Sequence, residues 1–321
     1  MRKRLIPLLL GIGILIILWW KTGWTEIRTT IAAMDMFWLT AALALFIPQI
    51  VISGIRWAVI VRSHQHLTVR KATKLVLAAS AWNIFLPSKL GDLAKGVFLD
   101  STAPGGDIVT GVSLAAFEKY LDLTALACWM LAATLVFPSN DPVILLLSLC
   151  GIICVTFFLL LVFSPAAGWI SGFKPKDKKN KDLTGKIRSK LAGVGKAILF
   201  LRSDPRRLLI ITGLSILLWS LHLLQFNLAF VAVHSGFPEQ MNDHVGYAVL
   251  WSRIPMAIFV GLVPVTIAGI GSRDAAMFYF LKPYTTPGIA VSLGVFATLR
   301  YVVVALAGLP FATRFDTLRN R

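Results

Sequence analysis

Acidic residues are scarce in this chain. Fifteen Asp and Glu stand against 32 Lys and Arg, for a net charge of +17. Cysteine is scarcer: Cys128, Cys150 and Cys154 are the full set, each in an apolar stretch. That argues against a disulfide framework or a cysteine-based metal site. There is no Gly-x-Ser-x-Gly elbow, no phosphate-binding loop and no metal-spaced His/Cys set. The Asp-x-Asp pair of a metal-dependent glycosyltransferase is also missing. No enzyme activity, metal or cofactor is therefore expected. The basic excess raises nucleic acid as a partner. However, the Lys and Arg cluster in loops between apolar runs, where anionic headgroups and membrane topology account for them better. No nucleic-acid partner is expected.

Apolar residues are what the chain has in excess, at 57% of 321 residues. Several runs exceed the roughly 18 residues that suggest a spanning helix. The expected class is all-α: one polytopic membrane domain over residues 1–321. Trp19, Trp20 and Trp38 sit near span ends as interfacial anchors. Leu5 to Trp20 follows Arg2-Lys3-Arg4 without a small-residue cleavage site, so it reads as an uncleaved anchor rather than a signal peptide.

About six full spans are legible. The first ends near Trp20, and the second runs from Phe37 to Val61 with Arg56 near its inner end, where a long side chain can snorkel. Asp107 opens a helix to about Phe137. Asp141-Pro142 and Asp204-Pro205 read as N-cap and first helical residue of the next two spans, to about Phe163 and Val233, and Thr286-Pro287 opens the last. Residues 164–207, with KPKDKKNKD and two further basic clusters, read as a cytoplasmic loop carrying a short interfacial helix at Gly193–Leu201. His234 to His244 has no Lys or Arg and reads as an outer loop.

Two apolar runs are broken. Ala81 to Leu99 breaks at Pro87, followed by Ser88, Lys89, Gly91, Asp92 and Lys95. Val245 to Leu281 breaks at Pro255, then at Pro264 and Gly269-Ile270-Gly271-Ser272-Arg273-Asp274. Charges and prolines at membrane depth are costly unless the backbone lines a protein cavity. Each run reads as a re-entrant hairpin, the two entering from opposite faces. With both hairpins re-entrant, every basic loop and both termini fall in the cytoplasm of a prokaryotic cell. If both were full crossings, Lys176 to Lys190 would lie outside. The matching positions resemble an inverted repeat, with discontinuous helices meeting at the midplane.

The hairpins nominate a binding site for an anion. Ser88 is a good N-cap for the returning half-helix, whose first turn holds Lys89, and helix N-termini attract phosphate or carboxylate. Lys89, Lys95, Arg273 and Arg300 are candidate anion ligands, with Ser88 and Ser272 at the two breaks. The alternative for Asp92 and Asp274 is salt bridging with Lys95 and Arg273. Glu118 and Asp122 share a helix face and repel unless a cation lies between them. They are read either as a proton-coupled or headgroup-binding pair, or as partners of Arg300 or Lys95. Asn83 either satisfies carbonyls freed at the break or contacts ligand. Arg253 is either a cavity ligand or an interfacial anchor. Pro87, Gly91, Pro264, Gly269 and Gly271 are the hinge positions. His222 and Gln225 read as hydrogen-bonders within the bundle.

Taken in order, Asn83…Leu86-Pro87-Ser88-Lys89-Leu90-Gly91-Asp92…Lys95, Glu118-Lys119…Asp122 and Pro264…Gly269-Ile270-Gly271-Ser272-Arg273-Asp274 resemble the lysylphosphatidylglycerol synthase transmembrane, or flippase-like, family. The resemblance spans about residues 5 to 315. It implies movement of a lipid with a polar head across the membrane; the family includes the flippase half of the multiple peptide resistance factor and stand-alone members linked to polyprenyl-phosphate sugar pathways. Arg273-Asp274 departs from the family's usual Arg-Glu. No aminoacyl-transferase domain follows the last span, so synthesis of the lysyl lipid is not expected. The expected partner is an anionic membrane lipid or lipid-linked saccharide. The rival readings are a polyprenyl-dependent glycosyltransferase component and a proton-coupled carrier of a soluble anion.

Overall fold

The computed structural model describes residues 2–62, 65–83, 91–97, 99, 108–172, 183–236, 243–263, 265–266 and 269–312. Among them the regular elements are α-helices: α1 (Arg2–Thr22), α2 (Trp24–Ala32), α3 (Met36–Ala44), α4 (Phe46–Val61), α5 (Val69–Asn83), α6 (Gly91–Val97), α7 (Ile108–Val136), α8 (Pro142–Phe163), α9 (Ala166–Ser171), α10 (Leu183–Arg202), α11 (Pro205–His234), α12 (Asp243–Leu262), α13 (Ser272–Leu281) and α14 (Pro287–Ala312). Five stretches are long and apolar enough to cross a membrane: Met36–Val61, Gly111–Val136, Pro142–Phe163, Pro205–His234 and Pro287–Ala312. Leu9–Thr22 and Val249–Leu262 are shorter apolar helices. The chain is an all-α, polytopic membrane protein. Large apolar side chains such as Leu146, Leu149, Ile153 and Phe163 of α8 point outward, as lipid-facing residues do.

The local helix signals act as their chemistry dictates. Asp141 Oδ1 accepts from Val143 N at 2.8 Å and Ile144 N at 3.4 Å, with Pro142 at the first helical position. Asp204 accepts from Arg206 N at 3.1 Å. Thr286 Oγ1 accepts from Ile289 N at 3.4 Å, and Glu26 of α2 reaches across to accept from Gly288 N at 2.7 Å. Asp107 lies outside the described residues.

Partial loss of water pushes the Asp141 carboxyl up. Hydrogen bonds from Tyr279 and from the Val143 and Ile144 amides, with the field of Arg253, nevertheless hold it below the ordinary carboxylate range. A depressed folded value stabilises above the unfolded pKa and loses that stabilisation as pH falls through the folded one. Asp141→Ala is therefore expected to cost about 1 kcal/mol at neutral pH. The difference from the parent should shrink progressively below roughly pH 4, as read by melting in detergent.

Two sequence expectations are corrected. Pro255 does not break its helix: α12 runs through it to Leu262. A membrane helix tolerates the missing N–H where neighbouring helices and local backbone adjustment re-satisfy the freed polar groups, and α12 packs against α7, α11 and α13. Residues 164–207 are not one loop with a short helix: they contain α9 and the 20-residue α10, which packs on α7 and α9. The segment after α1 holds a further helix, α2.

Apolar burial drives little association in lipid, so close backbone contact carries more of the load. A Cβ on Gly96 of α6 would collide with the backbone of Gly111 in α7. One on Gly308 of α14 would collide with Leu77 O of α5. We expect Gly96→Val to pry α6 from α7, lowering the melting temperature by several degrees, whereas Gly213→Val, with open space around its Cβ, should not.

Two apolar clusters divide the bundle. One gathers Trp57, Ile60, Leu75, Leu114, Phe117 and Leu121 towards the end where Arg62, Lys71, Arg206 and Arg207 lie. The other gathers Leu126, Met130, Phe226, Phe230, Ile254 and Phe296 towards the opposite end. In α7 the first cluster stops at Leu121 and the second begins at Ala125. The charged residues sit where the two meet.

Candidate functional site

A cavity of about 230 Å³ lies at that junction. It is lined by side chains of α4, α5, α6, α7, α11 and α14, together with Ile270. Its charged lining is Arg56, Lys95, Lys119 and Arg300 against Asp92, Glu118 and Asp122.

Six of these seven neutralise one another. Arg56 is 2% exposed and bridges two carboxylates of α7: Nη2 to Glu118 Oε1 at 3.0 Å and Nη1 to Asp122 Oδ1 at 2.6 Å. Its Nη1 also donates to Ser215 Oγ of α11 at 3.1 Å. Lys95 pairs with the second oxygen of Glu118 and lies 4.7 Å from the Trp57 ring centroid. Lys119 pairs with Asp92 and stands 3.5 Å from Asp122. Glu118 and Asp122 are one helical turn apart, so they repel unless a cation sits between them. Arg56 is that cation. The sequence reading placed Arg56 at a span end as a snorkelling residue; the structure makes it the hub of the network. Its partners come from a helix more than 60 residues away, so no local pattern marks the pairing. The signal that was present is numerical: three cations and three carboxylates on apolar helices.

Asn83 braces the first broken run. Its Nδ2 donates to Asp92 Oδ1 at 2.7 Å, and its Oδ1 accepts from Asp92 N at 3.2 Å. The end of α5 is thereby clamped to the start of α6. Gly91 is required there, since a Cβ would stand 2.7 Å from Ala79 O. Pro87, Ser88 and Lys89 lie outside the described residues.

The second broken run reaches the cavity through Ile270. Gly269 (φ 73°) and Gly271 (φ 92°) have left-handed backbone, which only glycine adopts without strain. Gly271 N–H donates to Asp274 Oδ2 at 2.7 Å, and Gly271 packs on Gly11 of α1. This helix start is thus occupied by its own carboxylate. Ser272 Oγ lies 2.8 Å from Thr266 Oγ1. Arg273 is neutralised: Nη2 donates to Asp274 Oδ1 at 3.0 Å and to Thr298 Oγ1 at 2.9 Å. Neither Arg273 nor Asp274 lines the central cavity, and Pro264 lies outside the described residues. Arg253 is buried elsewhere, 6.0 Å from the Tyr284 ring centroid.

Arg300 is the exception. It is 6% exposed and lines the cavity, yet among the described residues it meets no carboxylate within ion-pair distance. Nη1 donates to Gln225 Oε1 at 2.9 Å and stands 3.3 Å from His222 Nδ1, while the guanidinium stacks between Phe226 and Tyr301 at 5.0 and 5.2 Å from their centroids. Gln225 is itself oriented by Ala42 O at 2.9 Å and by Gln49 Nε2 at 3.2 Å. Among the described residues, neutral groups therefore hold a full positive charge in place and leave it uncompensated.

A second, almost wholly apolar groove of about 300 Å³ runs between α1 and α14, walled by Leu15, Leu18, Trp19, Val295 and Leu299. Thr298 and Val302 line both it and the central cavity.

Comparison with known proteins agrees with this architecture. UPF0104 membrane protein MJ1078 of Methanocaldococcus jannaschii is 26% identical over 202 residues, covering 62% of this chain and 78% of that protein. The lysylphosphatidylglycerol synthase TM region family matches residues 4–308, which include both broken runs and every charged residue of the cavity. The chain belongs to the lysylphosphatidylglycerol synthase TM region family.

Proposed function

We propose that the chain is a lipid flippase of a prokaryotic cytoplasmic membrane, with both termini in the cytoplasm. It moves a phospholipid or a polyprenyl-phosphate-linked lipid, whose anionic headgroup enters the central cavity while its apolar chain stays in lipid. The observation that carries this reading is Arg300, the cavity cation that has no carboxylate partner among the described residues. A planar guanidinium suits a phosphate oxygen pair. The balanced network of Arg56, Lys95, Lys119, Asp92, Glu118 and Asp122 is then framework rather than ligand: it fixes α4, α6 and α7 around the cavity. The expected helix-terminus site is narrowed accordingly, because Asp274 already takes the Gly271 amide. Of the candidates, Arg300 is the headgroup ligand, with Asn83 at the cavity wall.

The apolar groove that shares Thr298 and Val302 with the cavity favours a cargo with a chain over a soluble anion. A proton-coupled carrier would need a carboxylate free to titrate, and both Glu118 and Asp122 are held by Arg56. The α5–α6 and α12–α13 pairs act as re-entrant hairpins whose relative movement exposes the cavity to either side. No chemistry on the cargo is part of this reading. The test is a density map of the protein in nanodiscs containing phosphatidylglycerol. Headgroup density within hydrogen-bond reach of Arg300 is expected. A cavity holding only water, with lipid confined to the outer surface, would count against it.

A further inference from the structure

Arg253, like Arg273, is a buried cation outside the central cavity, but it lacks the carboxylate that neutralises Arg273. It lies on α12, 4% exposed, and its Nη1 is buried without a hydrogen-bond partner. No carboxylate among the described residues comes within ion-pair distance of it. It interacts with the Tyr284 ring, whose centroid is 6.0 Å from the guanidinium carbon, and with Asp141, whose carboxyl feels the charge. Asp141 is already committed: Oδ2 accepts from Tyr279 at 2.9 Å, and Oδ1 caps α8. A guanidinium carries five donors, and burying it unpaired is among the more costly arrangements a protein can hold. An unpaired ionisable group inside a membrane protein points first to a ligand.

Its depth differs from that of Arg300. Tyr284 precedes the first turn of α14 and Asp141 precedes α8, so Arg253 sits level with the helix ends farthest from the basic loops. Arg300 is 13 residues into α14 from Pro287, roughly 20 Å along the axis at 1.5 Å per residue. The apolar cluster of Leu250, Ile254, Phe226 and Phe296 occupies the bundle at this end.

We infer that Arg253 is the centre of a second oxyanion site, near the far ends of α8 and α13, that takes a phosphate-bearing group of the kind proposed for Arg300. The ligand class rests on the proposed function; the site itself rests on Arg253 alone. The two guanidinium groups then mark two depths on one path, with the balanced network framing only the first.

Native mass spectrometry of the full chain tests this with dihexanoyl phosphatidate, a soluble anionic phospholipid, and separately with inorganic phosphate. The parent should bind two phosphatidates, and Arg253→Gln and Arg300→Gln one each. Loss of a phosphate adduct as well in Arg253→Gln would mean that the free anion suffices; loss of phosphatidate alone would mean that the lipid is required. Melting without ligand supplies the control: removing an unpaired buried charge should leave Arg253→Gln at or above the parent's melting temperature. Unchanged stoichiometry in Arg253→Gln, or a large fall in its ligand-free melting temperature, would overturn the site. Unchanged binding in Arg300→Gln would instead sink the cavity reading and leave the Arg253 site standing.

Discussion

Arg300→Gln is expected to lose headgroup binding in the central cavity while keeping the fold. A charge-assisted hydrogen bond to phosphate contributes roughly 1.5–3 kcal/mol, so affinity for a short-chain anionic phospholipid should fall about 10- to 150-fold. Glutamine can still reach Gln225 and pack between Phe226 and Tyr301, so the helix contacts survive. The control is Arg56→Gln. Arg56 is as buried as Arg300 but bridges Glu118 and Asp122, and its loss leaves two adjacent carboxylates facing each other. Removal of Arg56 should lower the melting temperature sharply, and removal of Arg300 should not. Isothermal titration with each variant, paired with its melting curve, separates the two roles. Equal destabilisation by both would assign Arg300 to the framework.

Glu118→Ala carries the second large effect. One Glu118 oxygen takes Arg56 and the other takes Lys95, and both partners are buried. Removing one member of a buried ion pair leaves an uncompensated charge and costs about 3–5 kcal/mol. For a chain of this size that corresponds to a fall of order 10 °C in melting temperature. Adding Lys95→Met to Glu118→Ala removes the stranded ammonium, so the double variant should be more stable than Glu118→Ala alone. Additive losses would mean that Lys95 and Glu118 do not depend on one another and that α6 is held to α7 by the Gly96–Gly111 contact instead.

The parts of this fold legible in the sequence are those set by neighbours in the chain. Asp141-Pro142 and Asp204-Pro205 announce helix starts because the cap and the first-turn proline act within three residues. The two broken runs announce themselves because charge and proline are conspicuous in apolar surroundings, and Asn83, Asp92, Lys95 and Ile270 do meet at one cavity. Pairing across helices was legible only in part: Lys95 was among the partners read for Glu118, and that bridge forms. Asp92 was read against Lys95, its neighbour on α6, but pairs with Lys119 on α7, while Lys95 turns to Glu118. Arg56 looked peripheral because depth was judged from its position along one span, whereas burial is decided by the helices packed around it. Pro255 looked like a break because a proline's effect was judged from the chain alone, without the helices packed around α12. His222 and Gln225 were rightly expected to bond within the bundle; that their partner would be Arg300 needed the crossing of α11 and α14.

The central claim is that a guanidinium with no carboxylate partner among the described residues, beside a charge-balanced network, carries an anionic headgroup across the membrane. Its most direct measurement is lipid translocation by the purified protein in vesicles. Fluorescent phosphatidylglycerol and a fluorescent polyprenyl phosphate would be read by quenching with a membrane-impermeant reductant. The account predicts that the parent moves at least one of the two well above the rate in protein-free vesicles and that Arg300→Gln falls back to that rate at unchanged melting temperature. Movement of neither lipid by the folded parent, or full activity in Arg300→Gln, would contradict it.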